Sequence, residues 1–261
     1  MGRYSNETIA ICRFIGLGLI TGLSFGLKAE SPQTKPVVVE LFTSQGCYSC
    51  PPAEAYLGEL SKNPNIVALE FHVDYWDDLV YGAAGKWKDV FSKPEFTTRQ
   101  RICAGNLPEG QVYTPQMVVD GKSFAVGSRR GDVRRLIAKA KESRNRQANQ
   151  GTSVSISKQS QKGYVASING QSDRPISVWL VRFRKNVATR VRAGENKGKK
   201  LISHNIVTKV ERLAAWNGSN AVVKFTVDGL KSSEGCAVLI QEDAQGPIYG
   251  AALCPDEMGA S

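Results

Sequence analysis

The residues best suited to chemistry are Cys47-Tyr48-Ser49-Cys50, two thiols separated by two residues. Placed just ahead of a helix, the first thiol of such a pair meets unpaired backbone N–H groups and the positive end of the helix dipole, which favour the thiolate. The second lies a turn further in and is more buried. Cys47 is therefore expected to attack and Cys50 to resolve the mixed disulfide, with Tyr48 and Ser49 tuning the potential. Other chemistries compete. Half of a zinc site would need a second close pair of ligands, and a chain with two histidines has none in view. A purely structural disulfide stays open, as does Cu(I) held by the two thiolates with His72 beside them. Neither a Ser-His-Asp set nor a phosphate-binding glycine loop points elsewhere, and no cofactor is expected.

The flanking elements suit that placement. Val37-Val38-Val39-Glu40-Leu41-Phe42 reads as a buried strand, and Thr43-Ser44-Gln45-Gly46 as a short polar loop. Ala53, Tyr56, Leu57 and Leu60 then recur at helical spacing, with Pro51 and Pro52 where a first turn tolerates missing donors. A second strand spans Ile66–Val73. The aromatic stretch Asp74–Gly110 is expected to hold short helices. Pro115–Val126, broken by Asp120-Gly121, reads as a hairpin, and Val133, Leu136, Ile137 and Ala140 keep helical spacing behind Ser128. The order is β-α-β, an insertion, then β-β-α.

Two further elements face the cysteines in such an arrangement. Tyr113-Thr114-Pro115 heads the hairpin, and a cis peptide at Pro115 would set the Thr114 backbone beside the disulfide, open to an extended substrate. An ordinary trans proline at a strand start is the plainer reading. His72-Val73-Asp74-Tyr75-Trp76-Asp77 ends the second strand, on the sheet edge that also carries the Cys47 loop. His72 or Asp74 is a candidate proton carrier for Cys50, and Trp76 a wall of the site. A loop merely anchored by aromatics and a hydrogen-bonded carboxylate is the alternative. Tyr48, Trp76 and Thr114 are the expected substrate contacts, while Arg99 and Arg101 read as solvated or as raising the potential at the thiolate.

These segments carry a resemblance. The N-terminal half resembles the thioredoxin superfamily. GCYSCPP, HVDYWD, Arg99-Gln100-Arg101 and YTPQMVVDG, with the later Leu201-Ile202-Ser203-His204-Asn205-Ile206-Val207, resemble secreted thioredoxin-like proteins of domain-of-unknown-function family 1223. The resemblance implies a thioredoxin-like fold and a cis Pro115, and no substrate. Thioredoxin's usual Trp-Cys-Gly-Pro-Cys is replaced by Gly46-Cys47-Tyr48-Ser49-Cys50, so a reductase role does not carry over.

After Ala140 the composition shifts. Lys141–Thr152 reads as a polar linker. Seven short strands follow: Val154–Ser157, Tyr164–Ile168, Ile176–Phe183, Ile206–Ala215, Ala221–Val227, Ala237–Gln241 and Ile248–Leu253. Such spacing suggests a β-sandwich. The expected organisation is a signal peptide at 1–29, a thioredoxin-like α/β domain at 30–149 and a small all-β sandwich-like domain at 150–258. Cys236 and Cys254 are mirror positions about a turn centred on Gln245 and are candidates for a structural disulfide, provided the register holds. Cys103 is left over, and a buried free thiol is the plainer reading.

The N-terminus sets the expected compartment. Phe14–Leu27 is an apolar run of about fourteen residues, short for a bilayer span and suited to a signal-peptide core. Leu27-Lys28-Ala29 is an imperfect cleavage site. Uncleaved, the segment would be the protein's one membrane contact. Cleavage after Ala29 would lower the charge from +10 to +8 and the cysteines from six to five. The chain is then expected to be secreted or periplasmic, where thiols oxidise. Eight basic and two acidic residues between Ser128 and Arg146, and eight and one between Arg182 and Lys200, leave the rest net acidic. No nucleic-acid recognition motif accompanies them. The expected activity is thiol–disulfide exchange on protein thiols or disulfides of the cell envelope. The alternatives are a ligand- or protein-binding module with a structural disulfide, and a Cu(I) carrier. The sequence does not settle the oligomeric state.

Overall fold

The stretches 37–43 and 66–72 are mostly apolar, and every residue in them, Glu40 and Glu70 included, is buried, as in strands covered on both sides. They form strands β1 (Val37–Thr43) and β2 (Ile66–His72), paired in parallel in the middle of a sheet. The computed structural model of the protein describes residues 35–80, 82–146 and 151–255, all of them in one compact unit. The expected signal peptide and Cys12 lie outside the described residues.

The connection between β1 and β2 is α1 (Pro51–Leu60). The expected insertion holds a 3-10 turn at Gly82–Ala84 and α2 (Pro94–Gly105). β3 (Gln116–Val119) and β4 (Ser123–Val126) form the expected hairpin, with Asp120 and Gly121 at φ of 50° and 63° in its turn. Positive φ at both central residues fits a two-strand twist, which explains the Asp-Gly pair. Then comes α3 (Arg130–Arg146). It runs six residues into the stretch expected to be a linker, because Arg144 is buried there against Asp120 at 2.6 Å.

The seven later strands are all present: β5 (Ser153–Lys158), β6 (Gly163–Asn169), β7 (Ile176–Arg190), β8 (Lys200–Trp216), β9 (Ala221–Thr226), β10 (Glu234–Glu242) and β11 (Ile248–Leu253). They are shared between two sheets. Four of them continue the first sheet, giving eight strands in the order β11-β10-β7-β8-β2-β1-β3-β4, while β5-β6-β9 form a small antiparallel sheet. The protein is a mixed α/β fold with one large mixed sheet and a second small antiparallel one. The join is β2 to β8, parallel, at Glu70 opposite Ile206. β7 and β8 also extend past their expected ends, pairing as far as Arg190 with Lys200. That extension is charged and half exposed, so it lacks the apolar alternation by which strands are recognised.

Three cores follow from this layering. Val37, Val39, Leu41, Ala68 and Met117 pack on Leu57 of α1 and on Val133 and Ile137 of α3. On the opposite face, Val38, Phe42, Leu69 and Phe71 join Phe96 and Cys103 of α2 and also Val181, Leu239 and Ile248. The two halves of the large sheet therefore share one core. The small sheet covers the other face of β7 and β10, where Tyr164, Ala166 and Ile168 meet Val178, Leu180, Val238 and Ile240. A sandwich exists as layers there, with one layer belonging to the common sheet.

Candidate functional site

Register assembles the site. Thr43, the last residue of β1, lies opposite His72, the last of β2, and Phe42 opposite Gln116, the first of β3. The Cys47 loop, the end of β2 and Pro115 thus share one sheet edge. Cys47 and Cys50 are at disulfide distance, with Cα atoms 5.4 Å apart. Cys50 is the residue before the first turn of α1, which Pro51 and Pro52 open. The Cys47 N–H donates to the Ser44 carbonyl (3.1 Å) and the Cys50 N–H to that of Cys47 (3.2 Å). The Thr114–Pro115 bond is cis.

Trp76 ties the two sides together. Its Nε1 donates to Thr114 Oγ1 at 2.8 Å. Gly46 explains the close approach of the Cys47 loop, because a Cβ there would stand 3.2 Å from the Trp76 Cβ. Tyr48 is 64% exposed, whereas Cys47 and Cys50 are both 0% exposed. Tyr48 thus stands exposed between two buried cysteines, and Trp76 links Thr114 to the loop that precedes them.

A buried ionisable network adjoins the same strand ends. His72 is fully buried, with Nδ1 2.7 Å from Asp89 Oδ2 and Nε2 2.8 Å from Glu70 Oε1. Burial works against the imidazolium, but Asp89 and Glu70 outweigh it and hold the pKa well above the ordinary value. Burial likewise opposes the Asp89 carboxylate, which His72 and the N–H groups of Gln45 and Phe91 nevertheless hold below the usual range. With both ring nitrogens facing carboxylates, His72 has none to offer a metal. Among the described residues no cluster of three His, Cys, Asp or Glu could hold a metal ion.

Glu54 belongs to this network and was not among the sequence candidates. It follows Cys50 by four residues, one helical turn, and its N–H donates to the Cys50 carbonyl (3.2 Å). Its Oε1 accepts from Thr43 Oγ1 at 2.7 Å. Burial, reinforced by Glu70, pushes its pKa up to about 8. The i+4 spacing from Cys50, on the face bearing Ala53 and Leu57, is the signal that could have found it. Asp74 stands apart from His72. It accepts from Thr97 Oγ1 (2.5 Å) and its N–H donates to that same hydroxyl (3.0 Å), which fits the loop-anchoring alternative.

Arg99 is not solvated. It is buried on Glu40 at 2.7 Å, with Nη2 also donating to Gln241 Oε1 at 3.0 Å. Cys103 is buried and unbonded, and burial, aided by Glu40, pushes its thiol up to about 12. Cys236 and Cys254 are at disulfide distance, with Cα atoms 5.2 Å apart. Ala237 faces Leu253 and the Cys254 N–H donates to the Cys236 carbonyl at 2.7 Å, so the mirror register holds despite a bulge beyond Ile240.

Residues 38–241 match a family described as a protein of unknown function, DUF1223. The chain belongs to that family. No curated protein matches this DUF1223 chain. Among solved structures it is similar to the crystal structure of a protein from Agrobacterium tumefaciens, at 29% identity and a TM-score of 0.68, over 86% of this chain and 96% of that one. A domain of the outer membrane lipoprotein Omp28 from Porphyromonas gingivalis is matched at 7% identity and a TM-score of 0.21, over 41% of this chain and 88% of that one. At that score the second likeness bears on nothing further.

Proposed function

We propose that this is an exported, thioredoxin-like thiol–disulfide exchange protein acting on protein thiols or disulfides of the cell envelope. One observation carries the reading: the Cys47–Cys50 pair opens a helix after a central strand, level in register with cis Pro115. In the oxidising direction a client thiolate attacks Cys47 Sγ. The Cys47–Cys50 bond breaks, and Cys50 leaves as a thiolate that takes up a proton. A second client thiolate then attacks the client sulfur of the mixed disulfide and expels the Cys47 thiolate. Two electrons pass from client to pair, and the steps reverse for a client disulfide. Glu54, which burial keeps protonated at neutral pH, is the proton source for Cys50, and His72 holds the carboxylates around it.

A Cys50→Ser variant tests this directly. It is expected to accumulate mixed disulfides with envelope proteins through Cys47, and Cys47→Ser to accumulate none. Absence of any adduct on Cys47 would refute exchange.

A second reading has one observation in its favour. The complete burial of both sulfurs suits a structural disulfide in a binding module. A reduction potential below about −300 mV would support it, since structural disulfides resist the glutathione pool in that range.

A further inference from the structure

The exchange reading leaves unused a contact made on the Cys47 turn from far along the chain. The β7–β8 ribbon ends in a loop, residues 191–199, that reaches the Cys47 turn. Asn196 is 0% exposed, and its Nδ2 donates both protons there, to the carbonyls of Gln45 and Cys47, each at 2.9 Å. Its Oδ1 accepts from Lys199 Nζ at 2.9 Å. Glu195 Oε2 accepts from the Tyr48 N–H at 2.8 Å, and the Lys199 ammonium lies 4.1 Å from the centre of the Tyr48 ring. Behind this contact, the Gly194 N–H donates to the Ala84 carbonyl at 2.9 Å. Gly194 has φ of 72° and so little room that a Cβ would stand 3.0 Å from that of Trp87.

These bonds are polar and few. Behind them β7 alternates exposed and half-buried residues from Arg184 to Arg190, while Val191, Leu201 and Ser203 at the base of the loop are buried. Breaking the contact of residues 192–199 costs hydrogen bonds that water can replace, and the buried Val191 marks the base from which they would lift. Segments held in this way open locally while the rest of a protein stays folded.

We propose that residues 191–199 form a latch over the disulfide, with Asn196 as its bolt. Closed, the latch seals Cys47 and Cys50 from thiols in solution. Open, it bares Cys47 together with the carbonyls of Gln45 and Cys47, the groups an extended chain would bond. As control over client access the latch rests on the exchange reading, whereas as a seal it stands without it.

The test is the rate at which a water-soluble phosphine reduces each disulfide of the full chain. Free thiols are alkylated at intervals and assigned by peptide mass. Asn196→Asp removes the two donors and sets a carboxylate against two carbonyls, so Cys47–Cys50 is expected to be reduced at least tenfold faster, with Cys236–Cys254 unchanged. Glu195→Ala, which affects only the exposed Tyr48 contact, is expected to give a smaller acceleration. Arg135→Ala, on the outer face of α3, is expected to give none. Unchanged rates in folded Asn196→Asp protein overturn the latch. If circular dichroism shows that variant unfolded, Glu195→Ala decides, and an unchanged rate there overturns it. The adduct assay on the separate Cys50→Ser variant distinguishes the two proposals. Faster reduction with no client adducts sustains the latch and refutes exchange, while client adducts with unchanged reduction do the reverse.

Discussion

The protein carries two cysteine pairs that are both buried and differently surrounded. Cys236 and Cys254 sit across paired strands, among Val178, Leu180, Val238 and Trp216. Cys47 and Cys50 sit in a turn whose neighbours are carbonyls, a buried Glu54 and a borrowed Asn196. Burial alone therefore does not distinguish one pair from the other. What distinguishes them is what must be broken to reach the sulfur. For the first pair it is a core, and for the second a handful of polar contacts.

The joint between the two regions offers the largest perturbation. Arg99 of α2 binds Glu40 in β1 and Gln241 in β10, so it bridges the sheet's halves inside the shared core. Arg99→Ala leaves Glu40 buried and unpaired, and chemical denaturation is expected to show a loss of about 3–5 kcal/mol. A loss below about 1 kcal/mol would mean that the halves are not energetically coupled there.

Removing each disulfide comes next. In the chain-entropy view the closed loop sets the effect, and the separations are 18 and 3 residues. Replacing Cys236 and Cys254 by Ala is expected to cost about 3 kcal/mol, and replacing Cys47 and Cys50 about 2 kcal/mol or less. The reverse order would make the Cys47–Cys50 bond the staple and favour the binding-module reading.

The smallest effect concerns pH and only the surroundings of the Cys47–Cys50 pair. Glu54 titrates near 8 in the folded chain against an ordinary value of 4.5, so between those values the folded state holds a proton that the unfolded state has lost. Stability must then fall as pH rises through that window. The raised His72 adds a loss of the same sign above its ordinary 6.5. Glu54→Gln keeps an acceptor for Thr43 and removes the titration. Its melting temperature is expected to decline less between pH 5 and 8, by at least roughly 2 °C if 1 kcal/mol is recovered in a chain of this size. An identical decline in both proteins would show that Glu54 is not the titrating group.

Much of this arrangement was legible in order and much of it was not. The strand–Cys47–helix unit, the Asp-Gly hairpin and every later strand follow from local periodicity and turn chemistry, because each depends on neighbours in sequence. The 236–254 pairing followed from counting outward from Gln245. Arg99 was misread because a lone arginine is usually solvated, and its partners lie at positions 40 and 241. The latch was invisible for a similar reason: a charged ribbon without apolar alternation looks like a loop.

Local sequence thus determined which thiols can form a pair at a helix start and which residues stand at the neighbouring strand ends. Tertiary structure alone decided that β7, β8, β10 and β11 join the first sheet, that Glu54 is buried near Glu70, and that Asn196 lies beside Cys47. Backbone pairing and burial act between residues far apart in the chain, here the 149 positions from Cys47 to Asn196, and no local pattern records which of them will meet.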